Sequence, residues 1–322
     1  MTASSTAVNQ SLNRITKGQK TWLNFRKSWR LHLMMVLPML YYVLFEALPL
    51  YGLQIAFRDY SVADGITGSA WIGLKHYVEF FSDWEWTHIV VNTVSISLYA
   101  ILAGFPIPVI LALFIHVNQN KVLKKLVQNV SYIPHFISVV VMVGLLQQIF
   151  NTQFGVLAAI YRLFGNWNSP PDIMYLENTF RHVYVWSGIW QNMGWSTIVY
   201  VASLSGVSQE LHEAAKIDGA SRFRRVISVD LPAILPTVSI MLIMRFGSIM
   251  SVGYEKVYLM QHTMNLDVSE VISTYVYKRG MAGGRQSFGT AIGLMNSVIN
   301  SAMVILVNLL ASWLSDGEAG LF

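Results

Sequence analysis

Long apolar runs and short polar segments alternate along almost the whole chain from Leu31 onward. Each run approaches or exceeds the roughly 20 residues that an α-helix needs to cross about 30 Å of hydrocarbon. The pattern predicts six membrane-spanning helices, at 31–57, 90–116, 130–150, 183–205, 236–260 and 289–314. Pro38 and Pro49 interrupt the first run, and Pro106 and Pro108 the second. Such breaks are tolerated where a neighbouring helix or water satisfies the freed carbonyls. The first run is longer than the core of a secretory leader and no small-residue cleavage site ends it, so it is read as a retained span.

Composition sharpens this picture. The 322 residues are 54% hydrophobic and 12% charged, against a charged share of about 25% in soluble proteins. The fold class expected is therefore all-α, a polytopic membrane protein. The absence of cysteine excludes a disulfide framework and a thiolate metal site. A net charge of +5 does not imply nucleic acid here, because basic residues beside spans orient a membrane protein. Segments 1–30, 117–129 and 206–235 hold thirteen Lys or Arg residues, and segments 58–89, 151–182 and 261–288 hold seven. That asymmetry predicts an N-in, C-in topology. Trp71, Trp84, Trp86 and Trp167 then fall on the outer side, where tryptophan suits the interface. The expected organisation is a basic cytoplasmic tail, 1–30, with Arg14, Lys17, Lys20 and Arg26 among its charges, followed by one membrane domain, 31–316, that contains a cytoplasmic loop, 206–235.

That loop carries ELHEAAKIDGASRFRRVISVDLP. Ser208 is placed to cap a helix, with Glu210 near the positive end of its dipole. Leu211, Ala214, Ala215 and Ile217 give the helix a small apolar side. Gly219 after Asp218 suits a chain reversal, because glycine accepts positive φ. Asp218 or Ser221 then caps a second helix, with Phe223, Val226 and Ile227 at helical spacing and Leu231-Pro232 closing it. Alanines at 214, 215 and 220 leave room for another surface, rimmed by Glu213, Lys216 and Arg222. An amphipathic loop lying on headgroups, with Arg222, Arg224 and Arg225 on anionic lipid, explains the basic residues equally well. It explains the order Glu-Ala-Ala then Asp-Gly-Ala poorly.

Glu213, Ala214, Ala215, Asp218, Gly219, Ala220, Phe223, Leu231 and Pro232 together resemble the EAA loop of permease subunits in ABC importers. Val226 and Val229 stand where that family more often has Phe and Ile. LPMLYYVLFEALPLYGLQIAFRDY, WIGLKHYVEFF and Asn92-Thr93 resemble the carbohydrate branch of these importers. PLYGLQIAFRDYS, VGYEKVYLM and SEVISTYVYKRG look similar to a subgroup importing complex oligosaccharides, including uronic-acid polymers such as alginate. The resemblance implies a type I importer permease in the bacterial inner membrane. It also implies a second homologous permease, two ATPase subunits that bind ATP and Mg, and an extracytoplasmic solute-binding protein. Alternating access would be driven through the loop, with Glu213 as the charged contact to the ATPase, Gly219 as the turn and Arg222 as a rim contact. Ala214, Ala215, Lys216, Asp218, Ala220 and Phe223 complete that surface.

The chain itself shows no GxxxxGK[ST] loop, no GxSxG elbow and no HExxH, and its eight histidines are scattered. No nucleotide, catalytic or metal site of its own is expected. For the solute path, polar groups inside spans are costly and tend to face a bundle interior. Arg245, Tyr254, Glu255 and Lys256 in the fifth run, Gln191 and Asn192 in the fourth, and Gln147 in the third are the candidates. A structural role competes for each: adjacent spans pair charges, and amides bond between helices. Trp186, Trp190 and Trp195 are read as packing, and Asn296, Asn300 and Asn308 as one adhesive helix face. Two other readings stay open, an ABC permease for a non-sugar solute and an autonomous secondary transporter.

Overall fold

The computed structural model describes residues 27–164 and 170–314. Most of the predicted basic tail and Trp167 lie outside the described residues. The chain divides into two compact units, Met1–Ile55 with Ser61–Ser69, and Ala56–Tyr60 with Ala70–Phe322. Of the first unit, the described part is dominated by helix α1, Trp29–Tyr42, which contains Pro38 and buries none of its residues. A π-turn over Val43–Ala47 follows it, just before Pro49. The wider turn loosens the hydrogen-bond ladder where the proline ring would meet a carbonyl one turn back.

The second unit is almost wholly helical. A two-residue antiparallel pair, β1 (Arg58–Asp59) with β2 (Ala70–Trp71), is a departure from the all-α expectation. It carries a stacked Phe57–Trp71 pair, ring centres 5.6 Å apart. Helix α2 (Lys75–Ser82) leads to α3 (Trp86–Gly104) and α4 (Pro106–Val117), which together form one apolar segment. After α5 (Lys121–Tyr132), α6 (Val139–Ile149) and α7 (Val156–Leu163) comes the long α8 (Glu177–Leu204). A polar hairpin begins with α9 (Gln209–Ile217), and α10 (Leu231–Phe246), α11 (Tyr254–Met260) and α12 (Ile272–Tyr275) precede the final α13 (Gln286–Leu314).

Among the described residues, four helical segments are long and apolar enough to cross a membrane: Trp29–Phe57, Trp86–Val117, Arg222–Phe246 and Gln286–Trp313. Three of these match expected spans to within a few residues. The expected third span, 130–150, is instead two helical pieces, Lys121–Phe136 and Val139–Ile149, bent by 102°. The break is held from α8. Gln191 Nε2 donates to the Ile137 carbonyl at 2.7 Å, Asn192 bonds His135 at 3.0 Å, and Trp195 stacks on the His135 ring at 4.5 Å. Ser138 caps the new helix by accepting from Val141 N–H. The backbone groups released at the break are thus satisfied by side chains, which lets it persist in apolar surroundings.

The fifth expected span, 236–260, also shifts. One helical segment runs Arg222–Phe246, then the chain breaks and resumes as α11. Leu231-Pro232 does not close a second hairpin helix. A π-turn at Val226–Asp230 accommodates the proline at the start of α10, so the second half of the polar hairpin is the beginning of the span itself. Gly194 brings α8 against α5 so closely that a Cβ there would lie 2.1 Å from the Ser131 carbonyl oxygen.

Buried apolar side chains gather in three clusters. One centres on Phe80, Ile272, Tyr275, Phe288 and Ile292, a second on Phe180, Val252, Val257 and Met260, and a third on Ala112, Tyr200, Leu204 and Ile234. The candidate site lies beside α8, lined in part by Ile101 and Ile249 of the first cluster and Ile96 and Val252 of the second.

Candidate functional site

A cleft of about 520 Å³ opens between α3–α4, α8 and the break between α10 and α11. Its lining includes Gln191, Asn192, Arg245 and Lys256, four of the residues expected on a solute path. Gln191 and Asn192 come from α8, Arg245 from α10 and Lys256 from α11, and the break between α10 and α11 lets them converge. The lining holds two cationic side chains, several hydroxyls and amides, and no Asp or Glu. Lys256 is buried, donates to the Tyr184 carbonyl at 2.9 Å and sits 4.8 Å from the centre of the Tyr184 ring. Arg245, in contrast, is exposed at the end of α10. Gln191 and Asn192 are engaged in holding the helix break, so here the bonding and lining roles coincide.

Tyr254, Glu255 and Gln147 are not in the cleft. Helix α11 turns Lys256, Val257 and Met260 inward and leaves Glu255 exposed. Tyr254 packs its ring against Tyr258 and Tyr277, at 5.4 and 4.6 Å. Gln147 is exposed on α6. Trp195 joins the lining through its stack on His135, a role that helical spacing alone did not separate from packing. Ser248 and Ser251 also line it and carried no signal in the sequence. Asn300 acts as the adhesive expected of it: its Oδ1 accepts from Met250 N–H at 3.0 Å and its Nδ2 donates to Ser251 Oγ at 2.8 Å. These bonds fix the strand of backbone that follows α10.

The polar hairpin follows its local chemistry closely. Ser208 accepts from Glu210 N–H, and Ser221, rather than Asp218, caps the following turn by accepting from Arg224 N–H. Gly219 has φ of 78°. Ala220 N–H bonds the Ala215 carbonyl and Gly219 N–H the Lys216 carbonyl, which together make a Schellman closure of α9. Glu213, Ala214, Lys216, Asp218, Gly219, Arg222 and Phe223 are exposed, with Ala215 and Ala220 half-buried. Large apolar side chains project there as well: Leu211 is 55% exposed, Phe223 74% and Ile217 87%. Among the described residues, Glu213 accepts one bond, from Gln209 one turn back at 3.3 Å. Arg222 donates to Gln119 at 3.3 Å, which ties the hairpin to the segment after α4.

A third polar assembly joins the segment before α3 to the one before α13. Arg279 reaches Asp83 at 3.1 Å and Glu85 at 3.2 Å, and Tyr275 donates to Asp83 at 2.8 Å. Burial raises the Asp83 carboxyl, but the Glu85 backbone N–H, the Tyr275 hydroxyl and the Arg279 charge together hold it below the ordinary carboxylate range. Burial and the bond to Asp83 push the Tyr275 hydroxyl up. Asn92 adds a further tie: it donates to the Asp267 and Glu270 carbonyls and accepts from Arg181 at 2.8 Å.

Comparison with known proteins places this geometry. Residues 104–316 match the family described as binding-protein-dependent transport system inner membrane component. The polygalacturonan/rhamnogalacturonan transport system permease protein YteP of Bacillus subtilis (strain 168) is 34% identical over 99% of this chain and 98% of its own. Protein LplB of the same organism is 36% identical over 92% of each chain. A chain in the crystal structure of a bacterial ABC transporter involved in the import of the acidic polysaccharide alginate superposes with a TM-score of 0.82 at 32% identity, covering 90% of this chain and 98% of that one. The same TM-score, at 31% identity over 91% and 97% of the two chains, relates it to the bacterial alginate ABC transporter in complex with alginate pentasaccharide-bound periplasmic protein.

Proposed function

This chain belongs to the family of binding-protein-dependent transport system inner membrane components, and we propose that it is one of two permease halves of an importer for oligosaccharides, acidic ones included. It is an ABC transporter permease of the inner membrane, and ATP hydrolysis belongs to a separate subunit. Counting the bent pair and α8 as spans, the chain crosses six times, N-in and C-in, with the polar hairpin in the cytoplasm. The observation that carries the substrate reading is the cleft lined by Arg245 and Lys256 with Gln191, Asn192 and no acid. Two cations without a counter-charge favour a carboxylate-bearing ligand, and the amides and hydroxyls match sugar hydroxyls.

Alternating access fits the same parts. The exposed Leu211, Ile217 and Phe223 at the hairpin, beside Glu213, form an apolar tip with a charged edge, suited to a cleft on an ATPase subunit. The partners are then a second permease, two ATPase subunits holding ATP and Mg, and a solute-binding protein outside. The decisive experiment reconstitutes the complete transporter and measures ATPase stimulation by binding protein loaded with acidic or neutral oligosaccharides. Stimulation by the acidic series that falls about tenfold or more in Arg245→Ala supports the reading. Stimulation by neutral sugars only, or by an unrelated solute such as phosphate, overturns it.

A further inference from the structure

The histidines are not all scattered once the chain is folded. His116 lies at the end of α4, His212 in α9, and Asp230 at the π-turn that leads into α10. His212 Nε2 stands 3.0 Å from Asp230 Oδ1, and His116 Nε2 stands 3.6 Å from the same oxygen. One ligand-type atom from each residue lies within 4.8 Å of the other two. Asp230 is 1% exposed, whereas each histidine side chain reaches the surface in part.

The contacts inside this group are not ordinary hydrogen bonds. Among the described residues, the buried His212 Nε2 and Asp230 Oδ1 have no hydrogen-bond partner, although 3.0 Å separates them. The two atoms are near each other without the alignment that an N–H donor needs. The histidine rings do not stack either, with centres 6.0 Å apart and planes at 37°. A buried carboxylate against two imidazole nitrogens is an unfavourable arrangement unless something positive, a proton or a metal ion, lies between them.

We propose that His116, His212 and Asp230 bind one divalent transition ion of the zinc type, through the two Nε2 atoms and Oδ1. Two imidazoles and a carboxylate select such an ion over magnesium or calcium, which prefer all-oxygen sets. Tetrahedral bonds of about 2.0–2.1 Å place ligand atoms roughly 3.3–3.4 Å apart. The 3.0 and 3.6 Å separations bracket that value, and all three atoms lie within 4.8 Å of one another. Water fills the remaining position. The ion is structural, not a cofactor for chemistry: it fastens the hairpin helix to the ends of α4 and α10, the two elements through which hairpin movement would reach the spans. The site rests on these three side chains alone, and stands or falls independently of the transported solute.

The test uses the full chain with its partner subunits, purified through a tag free of histidine, equilibrated with zinc and passed through gel filtration. Elemental analysis reads the zinc retained per complex in wild type, His116→Gln and His212→Gln. The expected result is one ion per chain lost on either substitution, with affinity lower by about tenfold or more. Cobalt(II) in place of zinc should give visible absorption bands in wild type that both variants lack. Equal zinc in wild type and variants, or no cobalt bands in wild type, overturns the proposal and leaves a proton-bridged His–Asp cluster. Asp230→Asn should lose the ion too; if it fails to fold, the two histidine variants, altered where the side chains reach the surface, still decide.

Discussion

Lys256 and Tyr184 are joined twice, by a 2.9 Å hydrogen bond from Nζ to the Tyr184 carbonyl and by the placement of Nζ 4.8 Å from the tyrosine ring centre. The pair fixes a buried cation in the wall of the cleft instead of leaving it on a free stem. Lys256→Ala should therefore do two things at once. It removes the charged donor on the Tyr184 carbonyl, which keeps its 3.2 Å bond from Ser187 Oγ, and empties a buried position, at a cost of about 1–3 kcal/mol, visible as a lower unfolding temperature in detergent. It also removes cleft charge, visible as weaker stimulation by acidic oligosaccharide. Arg245→Ala, at an exposed position, should show the second effect with almost none of the first.

Glu213→Ala should separate folding from coupling. The side chain is exposed and holds one weak contact, to Gln209, so stability should move by less than about 0.5 kcal/mol. Uptake into vesicles containing the whole transporter should nevertheless fall steeply while ATP hydrolysis persists. Uptake at the wild-type rate would remove the hairpin from the drive train.

Gly219→Ala probes the turn itself. Nothing lies within 4 Å of an added Cβ, yet φ is 78°, so the cost is backbone strain of about 1–2 kcal/mol and not a clash. Co-purification of the ATPase with this variant should weaken, and the permease itself should still fold and extract normally.

Gly194→Ala is the opposite case. Its Cβ would meet backbone of Ser131 at 2.1 Å, and the three nearest atoms are all backbone, with no side-chain end to yield. Separating the helices costs at least the 1–3 kcal/mol typical of overpacking, so the midpoint of thermal unfolding should drop markedly and the cleft should lose ligand response with it.

The assembly around Asp83 predicts a pH dependence. Its folded pKa lies below the unfolded value of about 3.9, so its contribution to stability is complete at neutral pH. It is lost only as pH falls through the depressed folded value. The stability gap between wild type and Asp83→Asn should thus be constant from pH 8 to about 5 and close below about 4. A gap that closes on the alkaline side would mean another group is responsible.

Much of this molecule is legible without coordinates because the physics involved is local. Apolar runs of the right length give spans beginning or ending near Trp29, Val117 and Trp313, since in hydrocarbon the backbone has few options except a helix. Ser208, Ser221 and Gly219 announce the hairpin for the same reason: a cap or a left-handed turn is decided by two or three neighbouring residues. The EAA pattern then identifies what the hairpin belongs to.

What only the tertiary structure decided is where distant polar groups meet. Pro134 and the capping Ser138 allow a break near Ile137, but its 102° bend is held from a distance, where Gln191, Asn192 and Trp195 on α8 bond and stack against it. Arg245 and Lys256 belong to one cleft because the helix breaks between them, and His116, His212 and Asp230 meet because three helix ends converge. In water each of these groups would be satisfied where it stood. In an apolar medium a freed carbonyl or buried charge must find its partner within the protein, and packing alone determines which partner is in reach.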